Sequence, residues 1–153
     1  MSLRLEYRTI APGAVKALAG LNAYADGAAI DQRLRRLLEV RVSQVNGCGY
    51  CIAVHRRQAL ALGESAQRLD ALERWRSSER FTRAERAALD WAEAVTEIID
   101  SRAPDDAYAE LARCYSEREL VDLTFVVLAM NAWNRLAISF RREAARKTVG
   151  VTA

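Results

Sequence analysis

Cys48, Cys51 and His55 carry the most legible chemistry in this chain of 153 residues. The segment Asn46-Gly47-Cys48-Gly49-Tyr50-Cys51-Ile52-Ala53-Val54-His55 sets two cysteines three positions apart and puts the chain's one histidine four beyond the second. On a helix starting near Cys48, side chains at such spacing share a face, with ~5–6 Å between Cβ atoms. A helix N-terminus offers unsatisfied N–H groups and a partial positive charge, and both favour thiolate over thiol. A free thiol with a pKa of ~8.5 is only about 3% ionised at neutral pH, and lowering it to ~7 requires only ~2 kcal/mol. A thiolate that attacks a peroxide oxygen becomes a sulfenic acid, with which a second cysteine one turn away can condense before further oxidation. The spacing thus supports a reversible disulfide. It does not choose the attacking sulfur, because the dipole favours Cys48 and the imidazole favours Cys51.

Two blander readings compete. A bare Cys-x-x-Cys in a helical protein can be a pair of small buried hydrophobes, but the lone histidine at the right spacing and Gly47 freeing the preceding turn count against accident. The pair is also half of a common zinc site. Completing a tetrahedron would need His55 and Cys114, and Cys114 lies far away in Leu111-Ala112-Arg113-Cys114-Tyr115, which reads as an amphipathic helix end with a packing cysteine. No metal is expected. No Gly-rich phosphate loop, haem motif or flavin fingerprint is visible, so no cofactor is expected either.

The surrounding composition is that of packed helices. Hydrophobic residues make up 51% of the chain, and only two prolines and seven glycines interrupt it, which favours one all-α domain over 1–153 with almost no strand. The net charge is +3, with 23 Lys and Arg interleaved with 20 Asp and Glu. That pattern is solvated helix faces rather than a nucleic-acid stripe, the densest basic runs being Arg33, Arg35, Arg36 and the tail Arg141, Arg142, Arg146, Lys147. Met1 to Thr9 does not read as a signal peptide, so a cytoplasmic protein is expected. Leu120 to Ile138 is apolar but broken by Asp122, Asn131, Asn134 and Arg135, and its longest pure run falls short of the ~20 residues a bilayer needs. It reads as a buried core helix, with no membrane partner.

About six or seven helices follow from caps and periodicity, in an antiparallel bundle with short connections. Pro12 opens a helix from about Gly13 to Tyr24. Asp31 caps a second, in which Leu34, Leu37, Leu38, Val42 and Val45 recur until Asn46-Gly47. A third runs from near Cys48 to Gly63, and a fourth from Ser65 to about Trp75. Thr82 and Glu85 form a capping box for a fifth through Ile98 or Ile99, Pro104 starts a short sixth, and Ser116 with Glu119 caps the long last one. Trp75, Trp91 and Trp133 read as core or interface. The redox core occupies about 31–63.

Arg41-Val42-Ser43-Gln44-Val45-Asn46-Gly47-Cys48-Gly49-Tyr50-Cys51-Ile52-Ala53-Val54-His55 closely resembles the core of the AhpD-like alkylhydroperoxidases, within the carboxymuconolactone decarboxylase superfamily. The likeness extends through Gly63, Trp75, residues 81–93 and Asn131-Ala132-Trp133-Asn134-Arg135. The resemblance implies an AhpD-like helical fold, assembled as trimers or hexamers, that reduces organic hydroperoxides with electrons from a thiol or dithiol donor whose identity it does not specify. It also implies an order: Cys51 attacks the peroxide, Cys48 resolves, and His55 relays protons. The family pattern carries a glutamate twelve positions before the first cysteine, where this chain has Arg36. Glu39, one turn further along, and Glu93, in the resembling Trp-Ala-Glu stretch, are the candidates to replace it, each with a solvated carboxylate as the plain alternative. With Arg36 there, weak peroxidase activity is one expectation, and a non-catalytic redox sensor or structural assembly with a reversible Cys48–Cys51 disulfide is the alternative function. Decarboxylase members of the superfamily lack the Cys-x-x-Cys, which argues against lactone decarboxylation.

Overall fold

A computed structural model describes residues 2–143, so Arg146 and Lys147 of the basic tail lie outside the described residues. Among these residues there are nine α-helices and no strand: α1 (Tyr7–Ile10), α2 (Pro12–Asp26), α3 (Gln32–Val45), α4 (Gly49–Ala61), α5 (Ala66–Ala71) running into a 3-10 turn (Leu72–Ser77), α6 (Arg83–Thr96), α7 (Ile98–Ser101), α8 (Asp105–Cys114) and α9 (Glu117–Ser139). The start signals act as their chemistry requires. Asp31 accepts from the N–H groups of Arg33 and Leu34, and Ser65 from that of Arg68. Thr82 with Glu85 and Ser116 with Glu119 close reciprocal capping boxes. Thr82→Ala is expected to lower the unfolding free energy by about 1 kcal/mol, read from the urea midpoint.

Two one-turn helices, α1 and α7, add to the seven expected from periodicity. The second marks a correction, because α6 stops at Thr96 rather than continuing through Ile98 or Ile99. Glu97 leaves helical geometry, with φ of −97° and ψ of +33°, and the Ala94 carbonyl near the end of α6 accepts from the Ser101 hydroxyl at 2.5 Å. Ile98 and Ile99 consequently face outward, at 50% and 81% exposure.

Helix α3 is the centre of the bundle, packed against α4, α6 and α9. Leu37, Leu38, Val40 and Val42 meet Leu89, Ala92, Leu123, Val126 and Val127 in one buried cluster. Along the same helix runs a buried polar stripe, Arg35, Glu39 and Ser43, whose spacing of four keeps the three on one face. Helix α9 has the length and hydropathy to span a bilayer, yet half of its most apolar window is buried within the molecule. Its buried side carries Leu120, Leu123, Val127 and Met130 together with Asp122, Asn131 and Asn134, the pattern of a core helix with polar business inside.

The turn between α3 and α4 decides where the cysteines stand. Gly47 has φ of +69°, its N–H donates to the Gln44 carbonyl at 3.1 Å, and the Cys48 N–H donates to the Ser43 carbonyl at 2.9 Å. This is the Schellman closure of α3, with Cys48 immediately reused as the N-cap of α4. A Cβ at Gly47 would meet no steric obstacle, so the cost of Gly47→Ala is the left-handed backbone alone, an expected loss of about 1–2 kcal/mol by denaturant titration.

Candidate active site

Cys48 and Cys51 are buried free thiols at the start of α4. The Cys51 N–H points at Cys48 Sγ, 3.4 Å away, where an oxygen cap would sit on another helix. The two sulfurs also hydrogen-bond to each other. That bond, given by Cys51, pulls the Cys48 thiol down to about 7; burial opposes it, and the N–H groups of Cys51 and Tyr50 assist. Cys51 is pushed up by donating that bond, by burial and by the charge on Cys48, while the Asn134 amide acts in the opposite direction. The hydrogen bond from Cys51 thus favours the thiolate on Cys48 over that on Cys51.

His55 stands on α4 one turn beyond Cys51, and both line the same cleft of about 300 Å³, together with Val54, Met130 and Trp133. Behind the imidazole lies Glu39 of α3, its Oε2 2.8 Å from His55 Nδ1, with the ring N–H not aimed straight at the oxygen. Glu39 is buried at 4% exposure and also takes Arg36 Nη1 at 2.6 Å and Arg35 Nε at 3.0 Å. Burial pushes the Glu39 carboxyl up, but His55, Arg36 and Arg35 outweigh it and hold it at about 2. Glu39 is thus a fixed anion at neutral pH rather than a proton acceptor. A fixed anion beside Nδ1 favours the tautomer with its proton there, which leaves Nε2 to accept or pass a proton.

Arg36, at the position where the resemblance expects a glutamate, pairs with Glu39 through Nη1 at 2.6 Å. It is part of the cationic clamp on Glu39, and Arg35, only 2% exposed, completes that clamp while also pairing with Asp26. Glu93 belongs to a different cluster. It accepts from Arg41 Nε at 2.6 Å and Trp75 Nε1 at 2.7 Å, and pairs with Arg76. These partners overcome the effect of burial and lower its carboxyl. The structure brings Glu39, and not Glu93, to the histidine. Truncating Glu93→Ala strands Arg41 and the Trp75 indole, for an expected loss of about 3 kcal/mol in thermal or urea unfolding.

Beneath the cysteines lies a buried amide network for which spacing along the chain supplies no signal. Asn46 Nδ2 donates to Asn131 Oδ1 and Asn134 Oδ1, each at 2.9 Å, and Asn134 Nδ2 donates to Ser43 Oγ at 3.1 Å. Asn131 Nδ2 reaches Thr96 Oγ1 at 3.0 Å. The network ties the turn before Cys48 to α9, and Asn134 reaches Cys51 as well. The available signal was asparagine at 131 and 134 inside an otherwise apolar helix, since buried amides need partners. Trp133 adds a buried indole N–H without a partner.

Cys114 sits at the end of α8, packed against the hydrophobic core. Among the described residues no three of His, Cys, Asp or Glu are placed to hold a metal ion. A depression of about 690 Å³ around Asp31, Arg33, Glu64, Arg68 and Tyr115 includes none of Cys48, Cys51 and His55 in its lining.

Residues 12–94 match the Carboxymuconolactone decarboxylase family. The uncharacterized protein YdfG of Bacillus subtilis is 36% identical over 147 residues, 96% of this chain and 100% of the relative. Among solved structures, a protein of unknown function from Agrobacterium tumefaciens, whose suggested role is AhpD antioxidant defence, superposes with a TM-score of 0.91 at 36% identity, covering 94% of this chain and 98% of its own. The debrominase Bmp8 shares the fold at a TM-score of 0.81 and 24% identity, over 88% of this chain and 73% of its own.

Proposed function

The chain belongs to the carboxymuconolactone decarboxylase family, in its AhpD-like group, and from that premise we propose that it is a thiol peroxidase reducing organic hydroperoxides through Cys51, Cys48 and His55. The observation that carries the proposal is the shared cleft: Cys51 and His55 line one apolar recess, with Glu39 fixed behind the ring. A hydroperoxide enters with its alkyl part against Val54, Met130 and Trp133. As the Cys51 sulfur attacks the terminal oxygen, the S–O bond forms and the O–O bond breaks. His55 Nε2 takes the thiol proton and gives it to the leaving alkoxide, so the products are Cys51 sulfenic acid and an alcohol. The Cys48 thiolate then attacks the Cys51 sulfur, a disulfide forms, and hydroxide leaves as water with a proton from solvent. A thiol or dithiol donor restores the pair.

Assembly into homo-oligomers in the cytoplasm is part of the same proposal. An exposed apolar row on α9, Val121, Phe125 and Leu128, supports the assembly. Arg36 in place of the family glutamate and the near-complete burial of both sulfurs favour a second reading, a redox sensor that forms the disulfide once without cycling. The test is peroxide consumption with excess dithiothreitol. Hydroperoxide consumption well above the protein-free rate supports the peroxidase, while a Cys48–Cys51 disulfide formed with no consumption above that rate supports the sensor.

A further inference from the structure

The two cysteines line different clefts. Cys51 lines the apolar recess with His55, whereas Cys48 lines a second cleft of about 410 Å³ together with Gly47, Gly49, Ile138, Arg141 and Arg142. Tyr50 and Ala137 line both. We propose that the cleft at Cys48 is the reductant's site, that it takes a small thiol carrying carboxylates, and that peroxide and reductant therefore reach the disulfide through different clefts. This deepens the proposed function and rests on its disulfide.

Three features of the cleft argue for it. Its charged lining is Arg141, Arg142 and Glu143. Arg142 is already held by Glu6 at 3.2 Å and lies over the Tyr50 ring at 5.1 Å, so it is a built wall, while Arg141 is exposed at the rim and offers a forked donor to a carboxylate. Gly49 supplies the second feature. It is not among the glycines with positive φ, and a Cβ there would meet nothing within 4 Å, so neither backbone nor packing asks for glycine. Its missing side chain leaves the approach to Cys48 open, a recurrent use of glycine where a ligand comes close to backbone. The third is the leaving group. Once Cys48 is bound to an incoming thiol, the hydrogen bond and charge from Cys48 that hold the Cys51 thiol up are gone, leaving burial, which still raises it, opposed by the Asn134 amide that favours its anion.

The reduction balances with two thiols. The first thiolate attacks Cys48 Sγ, a mixed disulfide forms, the Cys48–Cys51 bond breaks, and Cys51 leaves with the electron pair and takes a proton from His55 or solvent. A second thiolate attacks the reductant's sulfur in the mixed disulfide, releasing the oxidised dimer of the reductant and the Cys48 thiolate.

The test starts from disulfide made with diamide, so it does not depend on any reaction with peroxide. Reduction by mercaptosuccinate is compared with reduction by uncharged 2-mercaptoethanol, each rate divided by its thiolate concentration. Mercaptosuccinate is expected to be faster, with the preference falling about fivefold in Arg141→Gln and with added salt. Gly49→Leu is expected to slow both thiols at least about tenfold by filling the cleft. Alkylation at early times followed by mass spectrometry is expected to find the mixed disulfide on Cys48. A mixed disulfide on Cys51, an unslowed Gly49→Leu protein, or reduction only by a protein dithiol would overturn the proposal. Absence of peroxide turnover alongside these expected results would instead remove the peroxidase reading alone, and failure of diamide to form the disulfide would remove both.

Discussion

Cys51→Ser is expected to lower hydroperoxide consumption by at least about 1,000-fold, because the substituted hydroxyl is not ionised at neutral pH and oxygen does not replace sulfur as the nucleophile toward peroxide. The variant should fold, since serine is the smaller change in a site already lined by Asn134, and near-native stability is the control. Cys48→Ser should behave differently. Its Cys51 still reacts once, but without a resolving partner the sulfenic acid persists and proceeds to sulfinic acid under excess peroxide, giving one fast equivalent and then inactivation. The asymmetry follows from which sulfur faces the imidazole, so matching kinetics for the two variants would count against the cleft assignment.

Glu39→Gln has the second large effect, and it reaches both stability and rate. Glu39 is the anion among Arg35, Arg36 and His55, and removing its charge leaves Arg35, at 2% exposure, with Asp26 as its one charged partner of those described. The carboxyl stands at about 2 against an ordinary value of 4.5, a difference on the order of 3 kcal/mol. A carboxyl lowered in the folded state stabilises fully above its unfolded pKa, and the contribution is lost as pH falls from about 4.5 towards about 2. Wild type should therefore exceed Glu39→Gln in urea stability by about 3 kcal/mol at neutral pH, with the gap closing on acidification through that window. The rate should fall about tenfold to a hundredfold, as for other partners that orient a histidine. An unchanged gap at pH 3 would mean that the stabilisation is packing rather than charge.

The local grammar of the chain is readable because it is written in nearest neighbours. Asp31, Ser65, Thr82 and Ser116 act as caps because an oxygen there meets N–H groups two or three residues on, and Gly47 and Gly63 end helices because their backbones turn left-handed. The Cys51 and His55 pairing follows equally from a spacing of four on one helix. What spacing does not reveal are partners across helices. That Glu39 rather than Glu93 meets His55 depends on how α3 lies against α4, and both glutamates occupy buried positions amid cations. Asn46, Asn131 and Asn134 converge over 85 and 88 positions of chain, a distance no periodicity spans. The end of α6 escapes hydrophobic periodicity because apolar Ile98 and Ile99 continue the pattern, while the non-helical turn at Glu97 and the Ser101 hydroxyl on the Ala94 carbonyl leave no mark in it.

Departure from the family pattern at Arg36 becomes intelligible in three dimensions. Glu39, one turn along, stands behind the histidine, and Arg36 is one of its counterions. A carboxylate this strongly neutralised orients and stabilises the ring without receiving its proton, so proton transfer in the proposed cycle rests on His55 alone.

The central claim is that Cys51 is the sulfur oxidised first, from the cleft it shares with His55. Reduced protein mixed rapidly with an organic hydroperoxide, quenched with a sulfenic-acid trap and mapped by peptide mass spectrometry should carry the earliest label on Cys51, followed by the Cys48–Cys51 disulfide. A first label on Cys48 or Cys114, or no label while both thiols remain intact, would contradict it.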